Sequence, residues 1–257
     1  MLDLTSQDES IERRLTERFD VLDKMTHAAI MGDVRSFIVS GAPGLGKSYR
    51  IEKQLNSYDT DGDLHTIIKG HAKATGIYPT LYDYRFDGQV VVFDDADSIF
   101  DDTISLNILK TATDTTQVRR ISWLSKTKFI DDATREPIPK TFEYKGALIF
   151  ITNLDFVSMI NANHKLSPHL EALMSRSYYI DLTIHQPREC LIRIRQVIRE
   201  GMLNDLPSNM MLDVISFVEQ NYTKMREISL RSVVKLVNLR KGCGGDWESI
   251  ARISLCR

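Results

Sequence analysis

The chain has 257 residues, a formal net charge of −2, and side chains that are 42% hydrophobic and 26% charged. That suits a globular protein of one or two domains with a full core, and it does not imply a wholesale polyanion-binding face. The longest apolar runs, such as Ala147–Ile151, are strand-sized, far short of the roughly 18 residues a membrane helix needs. Cys190, Cys243 and Cys256 show no CxxC spacing, which argues against a disulfide framework or a zinc site and fits a reducing cytoplasm. The acidic, polar start MLDLTSQDES does not read as a signal or transit peptide. Charge is uneven: from Gln186 onward there are twelve Lys/Arg against eight Asp/Glu, so this part either carries solvated basic helix faces or meets phosphates.

In chain order, Ser10–Met31 has helical spacing, with Ile11, Leu15, Phe19, Leu22 and Met25 on one side, and Gly32-Asp33 stops it. Ser36–Ser40 is a short buried-strand pattern, and Ser48–Leu55 reads as a helix. Further strands are predicted at Leu64–Lys69, Val90–Phe93, Ala147–Thr152 and Tyr178–Leu182, with helices at Ile104–Ala112 and His169–Met174. Strands alternating with helices imply a parallel sheet covered on both faces. After Leu182 the strands stop: Pro187 opens a helix over Arg188–Met202, and others follow at Leu212–Glu219, Leu230–Leu239 and Trp247–Leu255. The expected architecture is α/β, a five-stranded parallel sheet in residues 1–185, followed by a small all-helical domain in residues 186–257.

The run Gly41-Ala42-Pro43-Gly44-Leu45-Gly46-Lys47-Ser48 matches G-x-x-x-x-G-K-[ST] and lies between a strand and a helix. Such a loop curls its backbone N–H groups around a phosphate at a helix N-terminus; Lys47 would reach the β- and γ-phosphates and Ser48 would hold Mg²⁺. Asp94 closes a strand 47 residues after Lys47, at the sheet edge where ligands of open α/β sheets bind, and would meet Mg²⁺ through water; the alternative is that Asp94-Asp95 cap the next helix. Because a second strand separates the two motifs, the topology is that of the P-loop subclass with an extra strand inserted. Asn153 ends the following strand and could orient the attacking water or touch the γ-phosphate.

These residues resemble the AAA+ ATPase family: GAPGLGKS resembles Walker A, VVVFDDAD Walker B, IFITN sensor 1, LMSRSYYIDL the arginine-finger segment, and SLRSVVKLV sensor 2. The resemblance covers about residues 20–250, and IIKGHAKATGIYPTLY, FDDADSIF and RRISWLS look most like single-domain ATPases of large tailed phages. It implies ATP and Mg²⁺ as ligands, a hexameric or similar ring, and, for a phage protein, the host cytoplasm. It implies that Arg176 enters the neighbour's site and that Arg231 touches the γ-phosphate in cis; the alternatives are an Arg binding its own helix's last carbonyls and a surface Arg. Walker B normally ends in Asp-Glu, with Glu as the base. Asp95 is one methylene shorter, a retraction of roughly 1.5 Å, and a misplacement near 1 Å can cost on the order of 10²-fold in rate. The expected enzyme is an active but slow ATPase with Asp95 as base.

Two inserts bear on what a ring would grip. Gly70–Tyr84 lies where related AAA+ proteins carry a pore loop; Lys73 could meet phosphate and Tyr78 could stack on bases, or Ile77, Tyr78 and Leu81 could pack a helix onto the sheet. Residues 119–146 read as an exposed hairpin, similar to one that viral superfamily-three helicases insert into DNA. Arg119, Arg120, Lys126 and Lys128 would face a backbone, with Trp123 stacking or buried, unless the hairpin only buttresses the sheet. The leading expectation is a ring-forming ATPase acting on single- or double-stranded DNA in phage DNA metabolism, working with an adaptor protein and no membrane. A protein remodeller and an ATP-locked scaffold are the alternatives.

Overall fold

The computed structural model describes residues 6–163, 165–184 and 186–257. It is an α/β structure whose elements run α1 (Ser6–Ile30), β1 (Ser36–Ser40), α2 (Lys47–Tyr58), β2 (His65–Lys69), α3 (Ala74–Asp83), β3 (Val90–Asp94), α4 (Thr103–Ala112), β4 (Arg120–Ser122) and β5 (Thr141–Glu143). Then come β6 (Ala147–Thr152), α5 (Phe156–Asn161), α6 (Ser167–Met174), β7 (Tyr178–Asp181), α7 (Pro187–Val197), α8 (Ser208–Asn221), α9 (Leu230–Gly242) and α10 (Trp247–Leu255). Among the described residues, no helix is long and apolar enough to cross a membrane.

The main sheet has five parallel strands in the order β2-β3-β6-β1-β7, as the alternating pattern predicts. Every residue of β1, β3 and β6 is buried, which explains their unbroken apolar runs: a central parallel strand is covered on both faces. The edge strands β2 and β7 are only partly buried. Because all five strands run the same way, β1, β3 and β6 deliver Gly41, Asp94-Asp95 and Asn153 to one edge of the sheet.

The chain divides into two compact units. The α/β unit comprises Asp20–Gly41 and Lys47–Leu182; the helical unit comprises Met1–Phe19, Ala42–Gly46 and Thr183–Arg257. The α/β core includes Phe93 stacked on Phe150 at 5.5 Å, with Leu106, Leu109, Ile149 and Leu170 fully buried around the sheet. Local signals start its helices: the Asp102 carboxylate accepts from Ile104 N and Ser105 N at the head of α4, and Asp155 accepts from Ser158 N at the head of α5. The α2–β2 turn winds around Asp59, whose carboxylate accepts from the backbone N–H groups of Gly62, Asp63, Leu64 and His65.

The helical unit has its own core, built from Leu191, Ile194, Val214, Val233, Leu236, Trp247 and Ala251. Ion pairs join the first half of α1 to α7 and the turn after it: Arg188 forks onto Asp8 at 2.7 and 2.8 Å, Arg14 meets Glu189 and Arg199 meets Glu12. The helix expected over Arg188–Met202 is α-helical only to Val197; a π-turn follows at Ile198–Met202, where Gly201 adopts φ +106°. A non-glycine residue resists that backbone conformation, so the glycine sets the end of the regular helix.

Candidate active site

In the α/β unit, the ends of β1, β3 and β6 and the start of α2 bring six predicted residues together: Gly41, Lys47, Ser48, Asp94, Asp95 and Asn153. Lys47 is 5% exposed, and its ammonium donates to Gly41 O and, at 3.2 Å, to Asn153 Oδ1. Asn153 Nδ2 donates to Asp95 Oδ1 at 2.8 Å. One amide orientation satisfies both contacts, since an ammonium only donates and a carboxylate only accepts. Asp95 sits at φ +52°, a left-handed conformation that Asp tolerates better than most residues, and its N–H donates to Ile151 O at 2.9 Å. The exposed Asp95 carboxylate is therefore held at the sheet edge by a side chain from the adjacent strand end.

Beside this chain, Ser48 Oγ donates to Asp94 Oδ1 at 2.8 Å. A hydroxyl and a carboxylate side by side are hard oxygen donors of the kind that hold Mg²⁺ together with phosphate and water, so these residues fit that ion. Among the described residues no group of three or more His, Cys, Asp or Glu forms a metal cage; Mg²⁺ bound largely through substrate phosphates needs none.

Two neighbours escaped the sequence reading. Lys69, the last residue of β2 and the register partner of Asp94, places its ammonium 3.7 Å from Asp94 Oδ2 and 3.4 Å from Glu52 Oε2. Asp97, the third Asp of FDDAD, accepts from Thr152 Oγ1 at 2.6 Å. Burial pushes the Asp97 carboxyl above its ordinary range, against the lowering effect of Thr152. The strand-end position of Lys69 was the available signal for the first, and the spacing of the three aspartates for the second.

Arg176 does not join this cluster within one chain. It precedes β7 at the opposite edge of the sheet, and its guanidinium donates to Ala172 O of its own helix at 2.7 Å.

In the helical unit, loop residues 42–46 carry two glycines at positive φ, Gly44 (+71°) and Gly46 (+93°). Leu230 N, in the first turn of α9, donates to Gly44 O at 2.8 Å. A Cβ on Gly44 would lie 2.7 Å from Ser229 Cβ and 3.5 Å from Arg231 Cγ, so glycine is required there and the exposed Arg231 flanks the loop. Pro43 is exposed and Leu45 is buried. Arg193, which sequence reading also missed, is 1% exposed and donates from Nε to Leu45 O at 3.3 Å.

The nucleic-acid candidates separate. Tyr78 is buried, its ring against Trp123, Phe129 and Phe142 and its hydroxyl donating to Pro139 O, so the expectation of base stacking is corrected. Arg119 is likewise buried: it donates to Ala112 O at 2.7 Å and lies over the Tyr144 ring, so it faces no backbone. Both serve the packing of the hairpin, whose Ile121, Ile138 and Phe142 enter the core of the α/β unit. Lys73, Arg120, Lys126 and Lys128 are exposed.

A 36.7 kDa protein from the nrdC-mobD intergenic region of Enterobacteria phage T4, described as uncharacterized, is 34% identical to this chain over 247 residues, 95% of this chain and 75% of its own length. The chain belongs to that phage protein's family. Two RuvB mutants of Thermotoga maritima match the fold with TM-scores of 0.53 and 0.51, at 13% and 15% identity; each match covers 94% of this chain and 69% or 68% of the other. This chain therefore shares the α/β fold of RuvB. No family model matches the chain.

Proposed function

We propose that this chain is an ATPase that assembles as an oligomeric ring and couples ATP binding and hydrolysis to remodelling of, or movement along, nucleic acid in phage DNA metabolism. The observation that carries the reading is the chain Lys47–Asn153–Asp95 beside the pair Ser48–Asp94. It sets a phosphate-binding cation, a polar orienting group and a carboxylate base side by side. Gly41–Ser48 wraps the phosphates, Lys47 neutralises charge on the β- and γ-phosphates, and Arg231 contacts the γ-phosphate. Ser48 and Asp94 would hold Mg²⁺, which would neutralise charge on the phosphates. Asp95 accepts the proton of the attacking water, and Asn153 fixes the direction of that carboxylate. Arg176, remote from the cluster of its own chain, acts on a neighbouring subunit. The exposed Arg120, Lys126 and Lys128, with Lys73, contact the phosphate backbone.

A family tie to a phage T4 protein supports a phage setting, and the shared RuvB fold supports the architecture on which the site is built. The short carboxylate of Asp95 favours a second reading, a scaffold that binds ATP to assemble and hardly hydrolyses it. ATPase rates with and without single-stranded DNA, duplex DNA and RNA, run beside a mass measurement with ATP, separate the two. Stimulation by nucleic acid supports the motor; ring formation without turnover supports the scaffold. Stimulation only by a protein partner contradicts both.

A further inference from the structure

Arg193 is among the largest fully buried side chains of the described residues. An ionised group at 1% exposure is costly unless every direction is satisfied. Its guanidinium lies 3.6 Å from the Phe19 ring centroid, donates from Nη1 to Gln196 Oε1 at 3.3 Å, and approaches Glu200 Oε1 at 3.6 Å. Gln196 is itself fixed, its amide donating to Glu12 O at 2.9 Å and Thr16 Oγ1 at 3.0 Å. Stacking and a rigid fork are properties of Arg that Lys lacks. The guanidinium also meets the phosphate loop: Nε donates to Leu45 O at 3.3 Å.

A trans peptide points its C=O and N–H to opposite sides. Holding Leu45 O toward Arg193 therefore turns the Gly46 N–H the other way. In the preceding peptide, Leu230 N holds Gly44 O and so turns the Leu45 N–H. An anion cradle needs its N–H groups to converge and its carbonyls to face outward. Glycine at Gly46 leaves the Leu45–Gly46 peptide free to flip, which would present a carbonyl to the anion.

We infer that Arg193 is a positioning residue that locks the phosphate loop in its anion-binding form by holding the Leu45 carbonyl outward. This rests on the reading that the loop takes the phosphates of ATP, and it adds a residue outside the family motifs on which that reading was built.

The test is titration calorimetry of wild type, Arg193→Met and Arg193→Lys with ATP, inorganic tripolyphosphate and adenosine. Losing one or two charge-assisted N–H bonds should weaken ATP and tripolyphosphate about 10–100-fold in Arg193→Met. Adenosine affinity should stay unchanged, and Arg193→Lys should recover part of the loss. Wild-type ATP affinity in a folded Arg193→Met protein overturns the inference. So does an equal loss for adenosine, which would make Arg193 a general brace. Should Arg193→Met fail to fold, Arg193→Lys decides: weaker tripolyphosphate binding at unchanged adenosine affinity supports the inference, and wild-type tripolyphosphate binding overturns it. Wild type that binds neither ATP nor tripolyphosphate removes the underlying reading instead.

Discussion

Asn153 donates its side-chain amide to Asp95 at 2.8 Å, tying the tip of β6 to the residue that follows β3. The same amide oxygen accepts from Lys47, so a residue expected to sense the γ-phosphate also holds the short carboxylate in place. That bond fixes the direction of the short Asp95 carboxylate. Asp95→Asn should lower kcat by about 10²-fold or more with ATP affinity little changed. Asn153→Ala should also lower kcat, and the double variant should fall little below the weaker single variant, because residues acting as a unit are not additive. An unchanged rate in Asp95→Asn removes Asp95 from the role of base.

Arg176 binds a carbonyl of its own helix at the sheet edge opposite Lys47. If it serves a neighbouring subunit, that bond must be exchanged on assembly. Arg176→Ala should bind ATP normally and lose turnover by roughly 10³-fold or more. Mixed with Lys47→Ala, it should regain part of the rate, since some interfaces then combine an intact loop with an intact finger. Wild-type turnover in Arg176→Ala, or no recovery on mixing, contradicts the assignment.

The hairpin separates packing from binding. Replacing the exposed Arg120, Lys126 and Lys128 by Glu should weaken duplex DNA binding and flatten its salt dependence by about three phosphate contacts, at unchanged melting temperature. Tyr78→Ala should instead destabilise the fold by roughly 3–5 kcal/mol, the usual cost of emptying a buried aromatic site. DNA affinity that ignores the triple charge reversal assigns the hairpin to buttressing alone.

Asp59 supplies a pH-dependent part of the stability. Burial pushes its carboxyl up, but bonds from Leu64 N–H, the His65 ring, Gly62 N–H and Asp63 N–H outweigh this and hold it below the ordinary carboxylate range. A depressed folded value means the contribution is present above the unfolded value of about 3.9 and is lost as pH falls through the folded one. Acid unfolding curves should show this loss below about pH 4, and Asp59→Asn should flatten it while costing about 1–3 kcal/mol at neutral pH. Identical acid curves for both proteins would contradict it.

The sheet was legible because its central strands are buried on both faces and so read as continuous apolar runs; the limits of β1 and β6 coincide with the sequence expectation. The clustering of Lys47 and Ser48 with Asp94, Asp95 and Asn153 was legible because G-x-x-x-x-G-K-[ST] between a strand and a helix fixes which strand ends they meet. Tyr78 and Arg119 misled because their partners are distant in sequence: Tyr78 meets Trp123, Phe129 and Phe142, and Arg119 needs Ala112 and Tyr144. In a strand of alternating pattern, a basic residue reads as solvent-facing unless a ring and a free carbonyl wait for it. Arg193 was hidden for the same reason, since in CLIRIRQ it looks like one of several surface arginines along α7. The strand-end position of Lys69 and the spacing of the three aspartates marked Lys69 and Asp97 in the sequence, but their partners Asp94 and Thr152 follow from the fold.

The central claim, that Lys47 and the loop around it bind and turn over ATP, is tested most directly by the rate of phosphate release from ATP by wild type and Lys47→Ala in parallel. Wild type should show measurable turnover, and Lys47→Ala, with its fold intact, neither binding nor turnover. ATP affinity and phosphate release unchanged in Lys47→Ala would contradict it.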